Sequence, residues 1–285
     1  MAKASLIISA YKNVKDLEVI LNELVYQSEQ DFEIIISEDG DSEEMENFIS
    51  NYISPYKISH LTHADCGWRK NKALNKAVKA AKSRYLIFVD GDCVLHPRFI
   101  ENHLRFAAPD SILGGKRIKL GEAFSKKLRQ GHLRHFTKNF LLNTAALFRD
   151  KVKFFEEGFY INPDGLLSII ANRRKIRHLK GCNFSCYKDA IIHINGFDED
   201  YVKPAIGEDI DLSWRFKGLG YKLVSVRNYA VQYHLYHREN WTSQEENLKL
   251  MLDKQANKLF RCKNGLEKEQ PILTQSSKIT KPVSV

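Results

Sequence analysis

The chain has 285 residues, 43% of them apolar and 28% charged, with a formal net charge of +9; this is ordinary for a soluble globular protein of one large or two small domains with a sizeable core. Five cysteines are an odd number and too few for a disulfide scaffold, and Cys182 and Cys186 (CxxxC) lack the second pair that a zinc site needs. No run of 18 apolar residues exists and the N-terminal Met-Ala-Lys-Ala-Ser is too brief for a signal segment, so no membrane span is expected and a reducing cytoplasm is the expected setting.

The first hundred residues alternate strand and helix. Ala4 to Ala10 reads as an apolar strand, and Lys15 to Gln27 as a helix with Leu17, Ile20, Leu21 and Leu24 at helical spacing. Phe32 to Ser37 is a second strand running into Glu38-Asp39-Gly40-Asp41. Glu43 to Tyr52 is helical, Tyr56 to Leu61 a short strand, and Lys70 to Lys82 a helix with Ala73, Leu74, Ala77, Val78 and Ala81 on one face. Another strand then runs to Asp90. This alternation predicts a mostly parallel sheet covered on both faces, in which ligands sit beyond the carboxyl ends of the strands. Asp39 and Asp90 both fall at such ends.

Residues 121 to 180 change character. From Glu122 to Lys180 thirteen Lys/Arg stand against five acids, an excess of +8 that accounts for nearly all of the net charge. The segment is a solvated helical surface or a surface for anionic lipid or nucleic acid. The strand and helix pattern resumes at Asn183-Phe184-Ser185 and Lys188 to Ile194, followed by a turn at Asn195-Gly196. A helix then opens at Gly207-Glu208-Asp209 with Leu212, Trp214 and Phe216 as its apolar positions. Leu223 to Val226 and Ala230 to His234 are short strands, Gln244 to Phe260 a charged helix, and the tail from about Lys263 reads as disordered.

Three places carry chemistry. Tyr85-Leu86-Ile87-Phe88-Val89 ends in Asp90-Gly91-Asp92; this is either a plain turn or a pair of carboxylates for a hard divalent cation that bridges to phosphate. Glu208, Asp209 and Asp211 crowd a glycine turn; they either cap a helix or include a carboxylate tuned as a general base. His234 and His237 end a late strand, where an imidazole could join two aspartates on a metal.

Taken together, these residues resemble family 2 glycosyltransferases. The resemblance rests on Ser9-Ala10-Tyr11, Glu38-Asp39-Gly40, the Asp90-Gly91-Asp92 "DxD" motif, Gly181-Cys182-Asn183-Phe184-Ser185, Asn195-Gly196-Phe197-Asp198 and Gly207-Glu208-Asp209-Ile210-Asp211-Leu212. The later motifs look like the acceptor region of galactosyltransferase-type and chondroitin-polymerase-type enzymes. It implies the GT-A fold: an α/β, Rossmann-like, mostly parallel mixed sheet flanked by helices. Residues 1–243 would form the catalytic domain, with 122–180 as a basic, partly helical insertion, and 244–285 a C-terminal helix and tail.

The resemblance also implies roles. Asp39 would hydrogen-bond the nucleotide base, with the Ala10 backbone beside it. Arg69 and Lys70 would lie by the donor, and Asp90 and Gly91 would contact the nucleotide. Asp92 would bind Mn²⁺ or Mg²⁺ together with His234, His237 competing for that place. Asp209 would be the catalytic base, Glu208 would bind or orient the acceptor, and Asn183, Gly207 and Asp211 would line the sugar and acceptor pocket. Where galactosyltransferases carry Trp three residues before the glutamate, this chain has Ala205, so galactose transfer is not implied. The expected reaction is inverting transfer from a nucleotide-sugar, UDP-linked by expectation, to a glycan or lipid-linked glycan acceptor in surface polysaccharide (lipopolysaccharide or capsule) synthesis. Phe136, Phe140, Leu141, Leu142 and Phe148 in the basic segment would support peripheral contact with an anionic membrane. Two other readings compete. A nucleic-acid-binding module is disfavoured by the carboxylate cluster, and a sugar nucleotidyltransferase by the lack of glycine in Ser9-Ala10-Tyr11-Lys12-Asn13.

Overall fold

The structure, a computed structural model, describes residues 1–204, 208–238 and 245–268. Its strands are β1 (Ala4–Ala10), β2 (Phe32–Glu38), β3 (Ile58–Leu61), β4 (Tyr85–Asp90), β5 (Cys93–Leu95), β6 (Ser111–Gly114), β7 (Ile118–Lys119), β8 (Asn183–Tyr187), β9 (Lys222–Ser225) and β10 (Gln232–His234). The helices are α1 (Val14–Leu24), α2 (Glu43–Asn51), α3 (Lys70–Ala80), α4 (Phe99–Arg105), α5 (Glu122–Arg129), α6 (Leu133–Lys138), α7 (Thr144–Arg149), α8 (Ser168–Asn172), α9 (Lys188–His193), α10 (Glu208–Gly218) and α11 (Glu245–Ala256).

Seven strands form the main sheet in the order β3-β2-β1-β4-β8-β6-β9, and a three-stranded sheet runs β5-β10-β7. β1 is parallel to β2 and β4, whereas β8 inserts antiparallel between β4 and β6. The central strands read as continuous apolar runs because both faces are covered. In β1, Leu6 and Ile8 face the core that holds Leu17, Ile20 and Leu24 of α1, while Ile7 faces the one that holds Leu74, Ala77 and Val78 of α3. This period-2 division fixes the register, since a one-residue slip would exchange the two faces. Register and parallel direction bring the ends of β1, β2 and β4 to one edge, with Ser9 opposite Asp90 and Ala10 opposite Glu38.

The basic segment extends the first of these cores: Phe124, Leu128, Leu133 and Leu147 belong to the same buried cluster as Leu6, Ile8 and Leu17. Phe136 and Phe140, expected at a membrane surface, are instead 3% and 5% exposed. They pack with Phe124, Phe155, Phe159 and Tyr233 in one aromatic cluster, mostly edge to face. Short helices α5 to α7 turn these rings inward and leave the lysines outside. Buried Asp16 on α1 ties the segment to the main layer through Arg129 at 2.6 Å.

The C-terminal segment is part of the same body. Lys254 on α11 pairs with Asp198 and, at 3.2 Å, with Asp200, and Phe260 packs on Trp214 at a ring-centroid distance of 4.7 Å. Residues 263–268, expected to be disordered, lie on the Asn195 turn. The Asn195 carbonyl accepts from Leu266 N at 2.9 Å and its side-chain Oδ1 from Glu267 N at 2.8 Å. Asn195 has φ 63° and Gly196 φ 75°. This left-handed pair aims the turn's polar groups at the tail, a feature that tail composition could not reveal. The part of the expected tail from residue 269 lies outside the described residues.

Candidate active site

The site forms where β1, β2 and β4 end. Asp39 follows β2; its backbone N donates to Ala10 O at 2.9 Å. Its carboxylate accepts the Arg69 backbone N–H at 3.1 and 2.9 Å, and His63 Nε2 lies 3.1 Å from Oδ1. Burial raises the Asp39 pKa above the ordinary carboxylate value, and the Arg69 N–H and His63 pull against it. Arg69 therefore meets Asp39 through its backbone, while its guanidinium turns back to Trp68 O at 2.8 Å.

Asp90 ends β4 between two cations, Lys70 Nζ at 2.8 Å and Arg117 at 3.0 Å. Lys70 comes from the first turn of α3, so a helix start and a strand end meet at this carboxylate. The tightness of the turn explains the glycine after it. Gly91 N donates to Ser9 O at 2.7 Å, and a Cβ at Gly91 would stand 2.9 Å from that same oxygen. Any side chain there would force the turn away from the end of β1.

Asp92 turns the other way, toward the small sheet. Its Oδ2 lies 3.3 Å from His234 Nε2 and 3.2 Å from His237 Nε2. One ligand atom from each of the three residues falls within 4.8 Å of the others. The strands enforce this: His234 is in register with Cys93 across β10 and β5, and Leu235 N donates to Asp92 O at 2.9 Å. Burial alone would raise the Asp92 pKa, but the two imidazoles and nearby Arg117 outweigh it and hold the carboxyl well below its ordinary range. One carboxylate and two imidazoles on a single point suit a divalent transition ion. Both histidines, and not one of them alone, reach Asp92.

Asp209 sits in the first turn of α10, half-buried, and its Oδ1 accepts Gly181 N at 2.9 Å. Burial raises its pKa; Lys70 and Lys180 oppose the rise and Asp90 adds to it. Lys70, which pairs with Asp90, thus also acts electrostatically on the helix-start carboxylate. Gly207 lies outside the described residues, as does the side chain of Glu208, whose backbone opens α10.

Two residues expected to line the sugar or acceptor pocket are placed elsewhere. Asn183 is fully buried: its Nδ2 donates to Lys116 O at 2.9 Å and Ala230 O at 3.1 Å, and its Oδ1 meets His103 Nε2 at 3.1 Å. It braces the β8 strand beneath the crevice and has no donor left over for a ligand. Asp211 is 1% exposed and paired with equally buried Arg215 at 2.7 Å. The helical period explains both the expectation and its failure, because Asp211 is rotated about 200° from Asp209 around α10. Conversely, Arg117 was not singled out from the sequence; its signal is Gly114-Gly115 just before it. A Cβ at Gly115 would lie 2.4 Å from the Asn183 amide, so this glycine lets the Arg117 segment close on β8.

The chain resembles known proteins in both sequence and fold. Residues 5–163 match the family model described as Glycosyl transferase family 2. Chondroitin synthase of Escherichia coli is 23% identical over 239 residues, covering 81% of this chain and 34% of the relative. The chain spans about a third to a half of the length of the first curated relatives it matches. Among solved structures, S. aureus TarS 1-349 in complex with UDP-GlcNAc superposes with a TM-score of 0.54 at 15% identity, over 87% of this chain and 64% of that one. A mannosyltransferase from Pyrobaculum calidifontis in complex with GDP-Man and Mn²⁺ gives 0.57 at 12%, over 95% and 66%. The mixed sheet, β8 insertion and flanking helices are those of the GT-A fold.

Proposed function

The chain belongs to glycosyl transferase family 2, and from that membership we propose that it is a metal-dependent, inverting transferase moving a hexosyl or N-acetylhexosaminyl group from a UDP-sugar to a glycan acceptor. The observation that carries this reading is the convergence of Asp92, His234 and His237 on one point beside Asp90, with Asp209 under the electrostatic influence of Lys70, which pairs with Asp90. Similar solved structures hold UDP-GlcNAc in one case and GDP-Man with Mn²⁺ in another.

In this reading the nucleotide lies along the ends of β1 and β2, beside Asp39 and Ala10. Lys70 and Arg117 hold Asp90 toward the ribose. Asp92, His234 and His237 would hold Mn²⁺ or Mg²⁺, which supplies Lewis-acid charge for the leaving diphosphate when bound. Asp209 takes the proton of the acceptor hydroxyl as that oxygen attacks the anomeric carbon from the face opposite the diphosphate. A single displacement of this kind inverts the configuration, so an α-linked donor gives a β-glycoside. The raised pKa of Asp209 suits a base that must be ionised before the encounter and protonated after it.

Among the described residues no helix is long and apolar enough to cross a membrane. Leu141, Leu142, Phe148, Leu166, Leu167 and Ile170 of the basic segment are exposed apolar side chains. Exposed apolar side chains in a basic segment fit peripheral seating on the anionic cytoplasmic leaflet, where lipid-linked glycans of surface polysaccharide synthesis would be met. Flotation with anionic but not neutral liposomes is the expected result. The transferase reading is tested by a donor screen: nucleotide release from UDP- and GDP-sugars with and without Mn²⁺. Turnover with at least one donor and its loss on chelation are expected, and no release from any donor would count against the proposal.

A further inference from the structure

His234 and His237 are three residues apart in sequence, yet both rings meet Asp92, with their centroids 5.0 Å from one another. An extended strand would not allow this. Residues i and i+3 of a strand point to opposite faces and lie about 10 Å apart. The backbone must therefore turn between the two histidines, and β10 ends at His234, before that turn. Whatever holds Leu235 and Tyr236 decides where His237 stands.

Leu235 N donates to Asp92 O at 2.9 Å, which ties the start of the turn to the backbone of the carboxylate residue. Tyr236 is held by α5 of the basic segment. Its N–H donates to Ser125 Oγ at 2.7 Å, and its carbonyl accepts Arg129 Nη2 at 3.1 Å. Ser125 and Arg129 are four residues apart, so they share one face of the helix. Both are anchored in turn. Ser125 is fully buried, and the Arg129 guanidinium forks onto buried Asp16 of α1 at 2.6 and 3.0 Å. Asn13 Nδ2 donates to that same carboxylate at 2.8 Å.

The sheet delivers α5 to this place. Lys119 of β7 lies opposite His234 of β10, and Leu120 N donates to His234 O at 3.0 Å. Lys153 braces β7 from its far side through two backbone hydrogen bonds with Lys119, each 2.9 Å. The helix then opens at once: Asp150 accepts Ala123 N and Phe124 N, each at 2.9 Å. Gly121 lets Asp150 come so near, since a Cβ there would meet its carbonyl oxygen at 1.6 Å. One continuous stretch, 118–129, thus holds both ends of the histidine pair, its strand at His234 and its helix at Tyr236.

We propose that Ser125 and Arg129 are positioning residues of the metal site, acting through the Tyr236 backbone to fix His237 as a ligand. The first helix of the basic segment then has a role of its own, which is to complete that site. The inference rests on the metal-dependent reading above.

The test uses the full chain and follows free Mn²⁺ by electron paramagnetic resonance during titration, with and without UDP. Ser125→Ala removes the acceptor of Tyr236 N. Arg129→Lys keeps a cation for Asp16 but loses the fork that also reaches Tyr236 O. Each should weaken Mn²⁺ binding about ten-fold, as loss of a partner behind a ligand commonly does. UDP affinity without the ion should change less than about two-fold. The decisive measurement is a double-mutant cycle with His237→Ala. Because both residues act through His237, either substitution added to His237→Ala should change Mn²⁺ affinity less than about two-fold further. Thermal melts accompany each variant, and Ser125→Ala, which deletes a single oxygen, carries the cycle alone if Arg129→Lys does not fold. Losses that multiply in the double variants would overturn the proposal, as would wild-type Mn²⁺ affinity in the single ones. A parallel drop in metal-free UDP affinity would also overturn it, since it would mark a general loosening of the fold. Wild-type chain that shows the cycle yet releases nucleotide from no donor would keep the positioning role and remove the transferase reading. Wild-type chain that releases nucleotide without binding Mn²⁺ would overturn the positioning role together with the metal site and keep the transferase.

Discussion

Replacing Asp209 with Asn separates chemistry from stability at one atom. The Oδ1 that accepts Gly181 N at 2.9 Å is kept by an asparagine, so the turn before β8 retains its anchor. What disappears is the charge. Burial raises the folded-state pKa of Asp209 above its unfolded value. The folded chain thus binds this proton more tightly than the unfolded one. Below the unfolded carboxylate pKa the group contributes stability, and that contribution is lost as pH rises through the folded value, so the ionised carboxylate opposes folding at neutral pH. Asp209→Asn removes that opposition. Its melting temperature should stay level or rise by a few degrees, about 2–4 °C per kcal/mol for a chain of this size. Turnover should fall, because positioned general bases contribute about 10²- to 10⁴-fold, while UDP affinity with Mn²⁺ stays within about two-fold of wild type. Donor turnover by nucleotide release, thermal melts and UDP titration on the same preparations give all three numbers. In wild type, the acid limb of the pH–rate profile should lie above the ordinary aspartate pKa of about 3.9. A variant with normal turnover, or one that melts several degrees lower, would refute the assignment of Asp209 as a base disfavoured by burial.

Other outcomes follow from the same geometry. His234→Ala and His237→Ala should each weaken Mn²⁺-dependent UDP binding about ten- to a hundred-fold, read by titration with and without the ion; a variant whose UDP affinity responds to Mn²⁺ as wild type does is not a ligand. Asn183→Asp keeps shape but turns two donated hydrogen bonds, to Lys116 O and Ala230 O, into oxygen facing oxygen in a fully buried place. His103 beside it is pushed down to about 3 by burial and cannot readily supply a compensating charge. The expected loss is about 3–5 kcal/mol in urea unfolding; near-normal stability with impaired donor KM would return Asn183 to the ligand pocket.

The strands and helices of the first hundred residues were legible because their signals are local. Apolar runs such as Leu6-Ile7-Ile8 and Tyr85 to Val89 require burial on both faces, and strand-helix alternation leaves few topologies. The strand-end position of Asp39 and Asp90 and the helix start at Asp209 followed from that pattern, and the ordered motifs pointed to the family. Side-chain direction did not follow. Whether Asn183 faces a ligand or two carbonyls depends on β6, β8 and the Gly115 approach, which are separated in sequence by some seventy residues. The exposed and buried phenylalanines of the basic segment have the same composition and differ only in what packs against them. Only the tertiary structure decided that His234 and His237 meet Asp92 and that Arg117 meets Asp90. It also placed Lys119 and Lys153 beside the metal strand, because those approaches are set by sheet register, which no short window of sequence contains.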